Sequence, residues 1–127
     1  MPAGEYLSAA DRSALDVEMR KAEQASRAEF SVFVGTAHGD PRDFATSLHN
    51  SMVAPARSIL IMVDPAAHHV EIVTGGFVRR TLSDAQVELA AATMAASFAE
   101  GDLVGGLRHG IRQLGEHARA PRTRHAG

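Results

Sequence analysis

The chain has 127 residues, 45% hydrophobic and 22% charged, with 13 basic and 15 acidic side chains and a formal net charge of −2. That is the length and composition of one ordinary globular domain, long enough to bury a core without staples. It excludes a disordered chain and a general nucleic-acid binder with a basic excess; with no cysteine, it also excludes disulfides, thiolate zinc sites and thiol nucleophiles.

No apolar run approaches the ~20 residues of a membrane helix. Residues 1–5 lack the basic and apolar regions of a secretory leader, so a cytoplasmic protein is expected. Lys21 is the only lysine among the basic residues, a codon bias of a GC-rich genome rather than chemistry.

Ser8 followed by Asp11 predicts a capped helix start. Leu15, Met19, Ala22 and Ala25 recur at helical spacing, predicting a narrow, alanine-rich peripheral helix over 8–28 that ends near Arg27. FSVFVG, Phe30 to Gly35, predicts a strand with Phe30, Val32 and Val34 on one face and Phe33 on the other. Asp40-Pro41 is an N-cap with proline at the first helical position. Phe44, Ala45, Leu48 and Met52 then form the buried stripe of a second helix, which Pro55 cannot continue.

SILIMV, Ser58 to Val63, is apolar throughout after its first residue, as in a strand covered on both faces. Asp64-Pro65-Ala66-Ala67 is turn chemistry, and His69 to Thr74 alternates as the second arm of an antiparallel hairpin. Gly75-Gly76 closes that strand. Ser83 and Gln86 predict a capping box, with Leu82 and Val87 as its hydrophobic staple. Val87, Ala90, Met94 and Phe98 line the helix that follows, ending at Gly101. Asp102 caps a last helix with Leu103, Leu107, Ile111 and Leu114 inward. The expected fold is therefore α/β: a small mixed β-sheet, a βαβ unit followed by a β-hairpin, with helices on both faces. Residues 1–119 are expected to form one domain, with 120–127 a flexible basic tail.

The segments SILIMVDP, VEIVTG, Leu82-Ser83-Asp84 and FAEGDLVGGLRHGIRQL resemble the TPM-domain family of thylakoid-lumen repair proteins and bacterial envelope proteins. Within it the chain is most similar to compact actinobacterial members of no assigned function. The resemblance implies a mixed sheet with helices on both faces, and links to divalent-metal binding and acid phosphatase activity through acidic residues at the sheet edge. The chain departs from that pattern at two places. Ala56, Arg57 and Ser58 stand where many members carry an Asp or Asn pair and a glycine, and Arg79 stands where many carry a glutamate.

Three constellations bear on function. His38, Asp40 and Asp64, with His68 and His69 in the adjoining turn, lie beyond the carboxyl ends of the parallel strands, where ligands of open α/β sheets bind. Imidazole and carboxylate together suit a transition metal, but capping by Asp40 and turn formation by Asp64 account for both residues as well. Arg79, Arg80 and Ser83, after Gly75-Gly76, combine guanidinium forks with a helix start and suit an anion; a solvated arginine pair explains them equally. Gly106 and Gly110, four apart, predict close packing of the last helix on the sheet, with a partner-binding groove as the alternative. No nucleophile elbow is present, and Arg119, Arg122 and Arg124 have no aromatic among them.

The function expected is a non-catalytic TPM-like accessory or binding domain recognising a protein or a small anionic partner. The alternative is a metal-dependent phosphatase-like hydrolase built on His38, Asp40 and Asp64. No cofactor is expected from the residues themselves; a divalent metal is implied only by the family resemblance.

Overall fold

The computed structural model describes residues 6–119, so the expected tail lies outside the described residues. Four helices, α1 (Ala9–Ser26), α2 (Pro41–Asn50), α3 (Asp84–Ala99) and α4 (Leu103–His117), enclose strands β1 (Glu29–Val34), β2 (Ser58–Asp64) and β3 (His69–Thr74). The sheet runs β1-β2-β3. β1 pairs parallel to β2 with Glu29 opposite Ser58, and β2 pairs antiparallel to β3 with Asp64 opposite His69. This is the mixed α/β sheet expected.

The helix starts follow their caps. Ser8 and Ser83 each close a capping box, with Asp11 and Gln86 respectively, while Asp40 and Asp102 accept the N–H groups of Asp43 and Gly105. Each cap satisfies donors the helix cannot use itself. α2 ends at Asn50, well before Pro55. Ser51 Oγ donates to the Leu48 carbonyl at 2.7 Å, and the Met52 N–H returns to His49 at 3.1 Å, closing the helix early.

Alternation divides β2 between two cores. Ile59, Ile61 and Val63 face α1, α3 and α4 with Phe30 and Ile72, whereas Leu60 and Met62 join Val73, Ala45, Phe33, Phe44 and Leu48 beneath α2. All seven residues of β2 are buried, which is why it has no polar face.

Two sequence expectations change. The buried face of α1 is Leu15, Glu18, Ala22 and Ser26, while Ala25 is exposed. A carboxylate sits on that face because α4 supplies its partners: Glu18 Oε1 accepts from Arg112 at 2.8 Å and lies 3.6 Å from Arg108. The glycines of α4 pack on helices, not on the sheet. A Cβ on Gly106 would fall 2.6 Å from the Phe98 ring, one on Gly110 would collide with Met94, and one on Gly115 would lie 2.8 Å from the Ala22 Cβ. α4 is thus wedged between α3 and α1, with Leu107, Ile111 and Leu114 turned into the core.

Candidate functional site

At the carboxyl ends of β1 and β2, the three residues expected as metal ligands are engaged separately. Asp64 is buried, and each of its oxygens takes a backbone N–H: Oδ2 from Ala37 at 3.0 Å, Oδ1 from Ala67 at 3.1 Å. One contact ties the loop after β1 to the end of β2, and the other forms the hairpin turn. Asp40 accepts the Asp43 N–H at 3.0 Å, and the His38 ring meets Phe44 edge-on with centroids 5.8 Å apart. Among the described residues, no three His, Asp or Glu side chains converge as a metal-binding group. His69 Nε2 lies 2.6 Å from Glu71, which also pairs with Arg42 at 3.2 Å. A cavity of about 370 Å³ does open there, between Asp64, His68 and the apolar side chains of Ala95, Phe98 and Leu103.

The opposite end of the sheet brings together residues far apart in sequence. Its key is Gly75, where a Cβ would overlap the Pro55 and Ala56 carbonyls. The chain leaving β3 therefore lies directly on the segment entering β2, held by Gly75 N–H to Ser58 O at 3.0 Å and Phe77 N–H to Ala56 O at 2.9 Å. That close approach sets Phe77 beside Arg57. Both the Arg57 and Arg80 guanidiniums lie against the Phe77 ring, 5.4 and 5.3 Å from its centroid, within cation–π range. The ring is nevertheless 48% exposed.

From the other side comes the end of α1, where Arg27 adopts a left-handed conformation with φ of 63° and turns the chain into β1. Ser26 Oγ donates to Ala22 O at 2.6 Å and accepts the Ala28 N–H at 3.1 Å, fixing that corner. Between these walls lies a cleft of about 380 Å³ with Arg27, Arg57, Arg80 and Phe77 on its sides and Ala28, Val78 and Ala118 in its lining. Among the described residues, no carboxylate lines it. Among the described residues, none of its three arginines makes an ion pair, whereas Arg42, Arg108 and Arg112 all do.

The arginine constellation expected from sequence is therefore split. Arg80 lines this cleft. Arg79 turns away, its Nη1 donating to the Thr74 carbonyl, and lines a shallower hollow beside Arg42, His49 and Gly76. Ser83 is exposed and spends its hydroxyl on the Gln86 N–H. The sequence marks Arg27 only as a helix end and Arg57 only as a departure from the TPM pattern, and gives Phe77 no role. The available signal was an aromatic, Phe77, set between a glycine pair and an arginine pair.

The fold and these side chains define a small α/β domain with a cationic, aromatic-walled cleft at one end of its sheet. Residues 3–115 match the family described as Domain of unknown function (DUF5130), and the chain belongs to that family. It is similar to the uncharacterized proteins Rv2468c and MT2543 of two Mycobacterium tuberculosis strains, each 29% identical over 105 residues. The match takes in 83% of this chain and 63% of theirs, so the chain spans under two thirds of those relatives. The fold is shared with two solution structures. One is the BA42 protein of Bizionia argentinensis (TM-score 0.79, 21% identity, 88% of this chain and 81% of that one). The other is the N-terminal domain of the cg2496 protein of Corynebacterium glutamicum (TM-score 0.73, 14% identity, 95% and 83%). Among the described residues, no helix is long and apolar enough to cross a membrane.

Proposed function

We propose that this chain is a TPM-like, non-catalytic binding domain of the cytoplasm that recognises an anionic partner at the arginine cleft. The observation that carries the reading is the trio Arg27, Arg57 and Arg80 around a half-exposed Phe77, with no carboxylate among the described residues of the lining. Cations left without counterions at a concave surface attract an anion, and guanidinium forks bind one bidentately. The carboxyl ends of α1 and α4 also face this region and oppose an anion. Each carries roughly half a negative charge, which three full positive charges outweigh. Arg57 and Arg79 also occupy positions where TPM members carry acidic or amide side chains, so a cation site is unfavourable at this edge. The rival hydrolase lacks comparable support, since Asp40 and Asp64 already serve backbone N–H groups.

The chain has no tryptophan, so Phe77→Trp supplies a single fluorophore in the cleft. Titration with pyrophosphate, a sulfonate and organic carboxylates is expected to change its emission saturably for at least one class. The change is expected to be lost when Arg57→Ala and Arg80→Ala are added. No arginine-dependent change with any of these anions would overturn the reading.

A further inference from the structure

Resting on that anion-binding reading, we infer that the cleft takes a carboxylate carried on an apolar body, rather than a phosphate. Much of its lining is apolar: Ala28, Val78 and Ala118 are 6%, 3% and 2% exposed, the Phe77 ring forms a wall, and the hydroxyls of Ser26 and Thr81 are given to the Ala22 and Val78 carbonyls. Its positive charge comes from three long arginine side chains, all exposed. A ligand matched to both features has an anionic head at the arginines and a hydrocarbon or aromatic body against the apolar lining.

The backbone argues for carboxylate over phosphate. Phosphate sites are built from free N–H groups at helix N-termini and glycine loops. Here the α-helix ends are carboxyl ends, a single 3-10 turn (Val78–Arg80) supplies the one amino end, and most of the neighbouring N–H groups are already used. Arg27 N–H goes to Glu23 O, Ala28 to Ser26 Oγ, and Phe77 to Ala56 O. Arg80 goes to Phe77 O, Thr81 to Val78 O, and Ala118 to Leu114 O. The guanidinium groups are then the chief donors left to meet the head, and their fork grips a carboxylate without help from a backbone nest. A phosphate would meet the same guanidiniums without a backbone nest, and would bring no apolar body to the Phe77, Val78 and Ala28 lining.

Two sources offer this chemistry: a small apolar acid, or the free C-terminus of a peptide ending in an apolar residue. Titration calorimetry of the full chain with octanoate, acetate, pyrophosphate and a peptide ending in Phe-Leu, as free acid and as amide, separates them. Octanoate is expected to bind at least tenfold more tightly than acetate or pyrophosphate if the source is a small acid. The free-acid peptide is expected to bind at least tenfold more tightly than its amide if the source is a chain terminus. Either affinity is expected to fall at least tenfold in Arg57→Ala/Arg80→Ala, with the circular dichroism spectrum unchanged. Arginine-dependent binding of pyrophosphate that exceeds both carboxylates would overturn this inference and leave the anion reading standing. No arginine-dependent binding by any probe would overturn both.

Discussion

Among the described residues two carboxylates leave the solvent, Glu18 at 4% and Asp64 at 5% exposure, and each is compensated differently. Glu18 is held below the usual carboxylate range chiefly by its hydrogen bond from Arg112, with Arg112, Lys21 and Arg108 adding favourable charge against the cost of burial. A carboxyl whose pKa is lowered on folding contributes stability that is present above its unfolded value. That stability is lost as pH falls through the folded one. Urea midpoints measured from pH 7 down to pH 3 are therefore expected to decline more steeply for the native chain than for Glu18→Gln. Parallel declines would mean that the Glu18–Arg112 contact contributes nothing to folding. Asp64 is compensated by two backbone N–H groups, from Ala37 and Ala67. Asp64→Ala orphans both, and is expected to cost about 1–3 kcal/mol in denaturant unfolding, the penalty of unmet buried hydrogen-bonding groups. A neutral Asp64→Ala would release this carboxylate from its structural duty and reopen the metal-site alternative.

Among the elements, α4 is held by what its glycines lack. Gly106 lies against Ser97 and Phe98, and Gly110 against Met94, so α3 and α4 meet where neither glycine has a side chain. Gly106→Leu is expected to destabilise by roughly 1–3 kcal/mol through overpacking. A fully stable, folded variant would show that the α3–α4 contact opens without cost. The sequence displayed the spacing of these glycines but not their neighbour, because periodicity identifies a face and says nothing of what lies across it. Helix caps and the strand alternation of Phe30 to Val34 were legible because their causes are local. On α1, Leu15, Ala22 and the partly buried Met19 were legible, but Glu18 and Ser26 were not; the partner of Glu18, Arg112, lies 94 residues away. His49 was missed for the same reason: it is buried, with Nε2 3.0 Å from the Ser58 carbonyl, a contact made across the α2–β2 connection. The cleft draws on four such separated segments, around residues 27, 57, 77–81 and 118, and only the third carried a visible signal.

At the scale of the whole molecule, the two ends of the sheet have different characters. At the end holding His38, Asp40 and Asp64, turns and caps engage both of these carboxylates beside its cavity. The other concentrates Arg27, Arg57 and Arg80, which make no ion pair among the described residues, around the exposed Phe77 ring. Gly75 holds that second end together, and Gly75→Ala is expected to displace the Phe77 segment from Ala56. The variant should therefore lose anion binding along with stability. Retained binding at native affinity would show that the cleft does not depend on this close approach. The central claim is that an anion is recognised at the arginine end. Mapping backbone amide shifts of the isotopically labelled native chain during titration with octanoate and with pyrophosphate tests it most directly. The expected result is a contiguous set of shifts at Arg27, Ala28, Arg57, Phe77 to Thr81 and Ala118, with Ala37 to Asp43 and Asp64 to His69 unmoved. Shifts centred on His38, Asp64 and His68 instead, or none with either anion, would contradict it.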